Sequence, residues 1–91
     1  MILSLRSKAL KAFFLTGDAS KLPVPNHDLV RRQLAALNVA TLPEQLNVPG
    51  WRFHGLQGKP KRYAIDASGN YLMTFVFDGP DAEAVDLADY H

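Results

Sequence analysis

The spacing of apolar residues changes about halfway along the chain, from a helical period to strict alternation. In the first half, Ala9, Leu10, Phe13 and Phe14 share one helical face over Lys8–Leu15. Ser7 stands before that run as its cap and Gly17 after it as its stop. Asp18 to Pro25 reads as a loop with two prolines. Asn26 or His27 then opens a second helix through Asp28–Leu37, with Val30, Leu34 and Leu37 as its i, i+4, i+7 stripe. Leu42–Leu46 fits one helical turn with Pro43 at its first position, and Asn47 to Gly50 connects onward. Ahead of both helices, Ile2–Leu5 is a short extended run expected to join a sheet as an edge strand.

From Trp51 onward the pattern is that of strands. Trp51–Gln57 is expected to be the first, with Trp51 and Phe53 on one face and Arg52 and His54 on the other. Gly58 to Arg62 is a basic hairpin loop leading into Tyr63. Ser68-Gly-Asn70 and Asp78-Gly-Pro-Asp81 supply the turns of an antiparallel meander. In its central strand Tyr71, Met73, Phe75 and Phe77 point one way, and Leu72, Thr74 and Val76 the other. In the last strand Val85 and Leu87 oppose Ala84 and Asp86. The predicted class is therefore α+β: one domain over residues 1–91, with two N-terminal helices packed on a mainly antiparallel sheet.

Composition narrows the function classes. At 47% hydrophobic and 21% charged residues the chain is an ordinary globular one. It has no cysteine, hence no disulfide frame and no thiolate metal site. Met1 to Arg6 is too short and too soon charged for a signal peptide or membrane span, so a cytoplasmic protein without membrane contact is expected. The net charge of +1 conceals a segregation: residues 1–62 hold ten bases against three acids (+7), and residues 63–91 hold six acids and no base (−6). That leaves two readings level: a polyanionic partner for the basic portion, or neutralisation within the fold. Arg31 and Arg32, on the outer side of the second helix, read first as a solvated face.

The histidines, at 27, 54 and 91, are too scattered for a metal pattern, and no phosphate-cradling glycine loop or nucleophile elbow occurs, so no metal or cofactor is expected. What remains is His54 on a strand face, the cations Lys59, Lys61 and Arg62 after it, and the terminal Asp89, Tyr90 and His91. Phosphodiester cleavage through a ribose 2′-hydroxyl needs a base, an acid and groups that hold the phosphorane charge. Two imidazoles on one surface suit the proton transfers near neutral pH. From residue types alone, an exposed or terminal histidine is more often a surface residue than a catalyst.

Several short motifs follow one another in order: Ser4-Leu-Arg-Ser-Lys-Ala-Leu-Lys11, Leu34-Ala-Ala-Leu37 and Leu46-Asn47 before an aromatic strand. Phe53-His-Gly-Leu-Gln-Gly58, Ser68-Gly-Asn-Tyr71, Thr74-Phe75 and the ending Val85-Asp-Leu-Ala-Asp-Tyr-His91 come after them. In these motifs, and over essentially its full length, the chain resembles the HigB-type toxins of the RelE superfamily. The resemblance implies a compact RelE-like fold and ribosome-dependent cleavage of translated mRNA. It also implies neutralisation by a helix-turn-helix antitoxin of the HigA type, with DNA met only through that antitoxin. By position, the family's active-site residues correspond to His54, Asp89, Tyr90 and His91. His54 and His91 would transfer protons, Tyr90 would stack on a base or hold the phosphate, and Asp89 would orient an imidazole or read the codon. Gln57, Lys59, Lys61 and Arg62 are the expected RNA-binding residues.

Two departures bear on activity. Members of that family typically carry Lys in a His-Pro-Leu-Lys-Gly turn, where this chain has Gln57, and Arg in Asn-Trp-Arg-Ile-Thr-Phe, where it has Leu72. Each lost charge-assisted contact at the phosphate is worth a few kcal/mol in the transition state, on the order of a hundredfold in rate. The expectation is thus an attenuated toxin; the alternative is a catalytically silent module that only binds its antitoxin.

Overall fold

The computed structural model describes residues 1–89. In chain order these form α1 (Lys8–Thr16), α2 (His27–Val39), a 3-10 turn (Pro43–Leu46), β1 (His54–Leu56), β2 (Arg62–Asp66), β3 (Tyr71–Asp78) and β4 (Asp81–Asp89). The caps are those the sequence announces. Ser7 Oγ accepts the Leu10 N–H at 3.1 Å. At the other end Gly17 takes a left-handed φ of 79° and donates its own N–H to Phe13, a backbone state that costs glycine nothing. Asn26 caps α2 by accepting the Leu29 N–H at 3.0 Å.

The sheet runs β1-β2-β3-β4, each neighbouring pair antiparallel. The N-terminal run lies alongside β4 in the parallel sense: Leu3 and Arg6 donate to the Ala82 and Val85 carbonyls, each at 2.8 Å. The expected edge strand is therefore present as two isolated bridges. Leu10 and Phe13 of α1 and Val30, Leu34 and Leu37 of α2 are buried in one core with Ile65, Met73, Phe75, Ala82 and Val85 of the sheet. Burying a side chain of this size contributes roughly 1.5–3 kcal/mol. No helix among the described residues is long and apolar enough to cross a membrane.

Two places depart from simple alternation. The β3–β4 register shifts between Thr74 and Val76, so that Phe75 faces both Ala84 and Val85, and Ala84 takes a left-handed φ of 52°. Without this bulge Glu83 would share the inward face of Val85. With it, Ala82 and Val85 are both fully buried and Glu83 pairs with Val76 on the other face.

The second departure corrects the expected strand Trp51–Gln57, which is regular only over His54–Leu56. The Trp51 N–H closes a turn onto Val48 at 3.0 Å, the Trp51 carbonyl receives the Asp66 N–H at 2.7 Å, and Arg52 is left-handed at φ 53°. The two faces survive this kink: Trp51 and Phe53 pack against the core, while Arg52 and His54 are exposed.

Candidate functional site

Residues directly opposite on antiparallel neighbours project to the same side. The register therefore puts His54, Ala64, Thr74 and Asp86 in one row across the face away from the core, with Leu56, Arg62, Val76 and Glu83 in the next. Asp66, Leu72 and Ala88 form a third row at the other end. Small residues make the floor: Ala64 and Thr74 are both buried, at 0% and 4% exposure.

Two hollows open on this face. A cleft of about 490 Å³ is lined by Arg52, Phe53, His54, Asp66, Tyr71 and Leu72, together with Gly69 and Asn70 of the β2–β3 turn. A groove of about 340 Å³ lies farther along, lined by Arg6 and Arg62 together with Glu83 and Asp86. The cleft's turn is held down from outside the sheet. Ser68 Oγ, in a nearly buried side chain, accepts the Asn26 N–H at 2.7 Å. Gly69 sits at φ 68° with Pro25 Cδ 3.3 Å from where a Cβ would be.

His54 is oriented by its own neighbour. Its Nδ1 lies 2.8 Å from the Arg52 carbonyl oxygen. A carbonyl only accepts, so this contact places a proton on Nδ1 and leaves Nε2 of the neutral ring as an acceptor. The Arg52 carbonyl thus favours the tautomer in which Nε2 can accept a proton. The guanidinium of Arg52 reaches the same cleft, with Nε 3.5 Å from Asp66 Oδ2. Asp66 is itself fixed at both backbone groups, its N–H on Trp51 and its carbonyl receiving Gln33 Nε2 at 2.7 Å.

The residues singled out from the sequence separate into groups. His54 and Leu72 line the same cleft. Arg62 shares the His54 face but belongs to the neighbouring groove. Lys61 is carried to the opposite face: its Nζ lies 2.7 Å from the position of a Cβ on Gly55, donates to the Leu56 carbonyl at 3.2 Å, and stands 5.9 Å from the Tyr63 ring centroid. Gln57 and Lys59 are exposed on the loop between β1 and β2. Asp89 ends β4 directly opposite Tyr71, a residue of the cleft wall. Tyr90 and His91 lie outside the described residues.

Sequence reasoning missed Arg6 and Asp66 as members of this face, and the ion pair that Arg52 makes there. Alternation alone put Arg52 on the side of His54, but only the β2–β3 register shows Asp66 and Leu72 meeting it there. The expected solvated face of α2 is present: Arg31 and Arg32 are exposed and paired to Asp28 at 3.1 and 3.4 Å. The two charge segments meet at Met1–Asp81 (3.3 Å) and Arg52–Asp66, while Arg6 and Arg62 make no ion pair among the described residues.

Comparison with known proteins covers the chain from end to end. The Proteus vulgaris protein named Endoribonuclease HigB is 34% identical over 92 residues, which span the whole of this chain and the whole of that one. A family model described as the RelE-like toxin of type II toxin–antitoxin system HigB matches residues 3–91. This chain belongs to that HigB-like toxin family.

Proposed function

We propose that the protein is an endoribonuclease toxin that cleaves translated mRNA on the ribosome, at a rate attenuated by Gln57 and Leu72. The observation that carries this reading is His54 in the cleft, with Nδ1 committed to the Arg52 carbonyl and Nε2 left to accept. The relative's name, endoribonuclease, points the same way. In the proposed step, His54 Nε2 takes the proton of a ribose 2′-hydroxyl as its oxygen attacks the adjacent phosphorus. The P–O5′ bond breaks, and His91 gives a proton to the departing oxygen. The products are a 2′,3′-cyclic phosphate and a 5′-hydroxyl. Tyr90 stacks on a base or holds the phosphate, and Asp89, beside Tyr71, orients an imidazole or reads the codon. Gln57, Lys59 and Arg62 meet the RNA backbone, and Lys61, tied to the opposite face, contributes only at longer range.

In this reading residues 1–91 act as one toxin domain in the cytoplasm. Apolar residues of both helices share one core with the sheet, and this reading gives the opposite, His54 face to the ribosome and its message. A helix-turn-helix antitoxin of the HigA type neutralises the toxin and supplies any contact with DNA. The test is cleavage of mRNA on programmed ribosomes. Wild type should cut, and His54→Ala and His91→Ala should each lose about a hundredfold or more. Message left intact at high toxin concentration would reject the reading.

Leu72 favours one second reading. It puts an apolar side chain on the cleft wall where the family's guanidinium would stand. A silent module would permit normal growth when expressed without antitoxin and still capture the antitoxin in a pull-down.

A further inference from the structure

Cleavage on this face needs a positive group at the phosphate, and position 72 does not supply one. Among the described residues Arg52 is the only Lys or Arg that lines the cleft. Its side chain is 80% exposed, and its charged partner is Asp66, with Nε 3.5 Å from Asp66 Oδ2. Its guanidinium is a planar fork of N–H donors suited to two phosphate oxygens, on a residue that lines the cleft. The rest of the residue is fixed. Its backbone is kinked at φ 53°, its carbonyl is held against His54 Nδ1, and Asp66 is pinned by Trp51 and Gln33. Asp66 also stands directly opposite Leu72 across β2 and β3, so the pair brings a guanidinium to the place where Leu72 offers none.

We propose that Arg52 is the phosphate-holding residue of the cleft, standing in for the cation absent at position 72. Asp66 holds the guanidinium in place, and a bound phosphate displaces it. The proposal rests on the endoribonuclease reading, but its test does not require cleavage.

The test measures binding of a short oligoribonucleotide with 2′-deoxy substitutions, by fluorescence anisotropy across a salt series, and in parallel cleavage on programmed ribosomes. Arg52→Gln should weaken binding about tenfold or more, and Arg52→Lys should recover part of the loss. The slope of log affinity against log salt should fall by about 0.7 in Arg52→Gln. Asp66→Asn, which removes the competing carboxylate and keeps the cation, should tighten binding two- to fivefold, roughly the reach of an exposed ion pair. A pair that served only structure would make Arg52→Gln and Asp66→Asn behave alike. That result, or Arg52→Gln binding within twofold of wild type with an unchanged salt slope, overturns the proposal. Should wild type leave the message intact while Arg52→Gln still loses the oligonucleotide, the phosphate site stands and the nuclease reading falls.

Discussion

Gln33, fully buried on α2, donates its side-chain amide to the backbone carbonyl of Asp66 at 2.7 Å. The bond ties the interior of a helix to the end of β2, the strand end that forms one wall of the cleft. Gln33 Oε1 is buried without a partner among the described residues, a cost that the amide bond offsets only in part. Replacing Gln33 with Ala removes the bond and leaves a void, and should lower unfolding free energy by about 2–4 kcal/mol. Gln33→Met keeps most of the volume and discards the orphan oxygen, so its loss should stay near about 1 kcal/mol. Urea denaturation of the two variants separates the hydrogen bond from packing.

Leu72 tests attenuation directly. It lines the cleft with His54 and lies opposite Asp66, so a Leu72→Arg side chain would enter beside an existing carboxylate. Single-turnover cleavage on ribosomes should rise by about tenfold to a hundredfold. In the Arg52→Gln background the same change should restore most of the lost activity. An unchanged rate in both backgrounds would mean that the phosphate lies elsewhere.

The neighbouring groove makes a different demand. Arg62 and Arg6 line it on the His54 face, without an ion pair among the described residues. RNA running from the cleft along this face would place a flanking phosphate there, away from the reacting atoms. Arg62→Gln should weaken oligonucleotide affinity and lower the salt slope by about 0.7 while leaving the single-turnover rate at saturation within a few-fold. A fall in that saturated rate equal to the fall in affinity would put Arg62 at the chemistry instead.

Local signals read from the sequence held where the cause was local. Ser7, Gly17 and Asn26 fix their helix ends through contacts within four residues, and the turn residues of the meander set the strand order. The strand expected over Trp51–Gln57 keeps its alternation but is regular only over His54–Leu56, because Arg52 is left-handed and the Trp51 carbonyl meets Asp66 of β2 out of step with the His54–Ala64 pairing. The cleft was half legible for the same reason. His54 stood out by its type, whereas Arg52, Asp66 and Gln33 acquire their roles only from pairing between distant segments.

The bulge in β4 offers a stability prediction with its sign set by the backbone. Ala84 holds a φ of 52°, where a Cβ crowds the neighbouring carbonyl, and its N–H is bound by Ser4 Oγ at 2.9 Å. Relief of the left-handed strain is worth about 1–2 kcal/mol, and the extra freedom of glycine in the unfolded chain returns about 0.4–1 kcal/mol of it. Ala84→Gly should therefore raise stability by up to about 1.6 kcal/mol, with Tm rising by about 4–8 °C for each kcal/mol in a chain of this size. Ala84→Val should move Tm the other way, because a β-branched side chain tolerates this backbone state worst. If Ala84→Gly instead lowered Tm, the bulge would be in another conformation, and Glu83 would lose its assigned place on the face that carries His54.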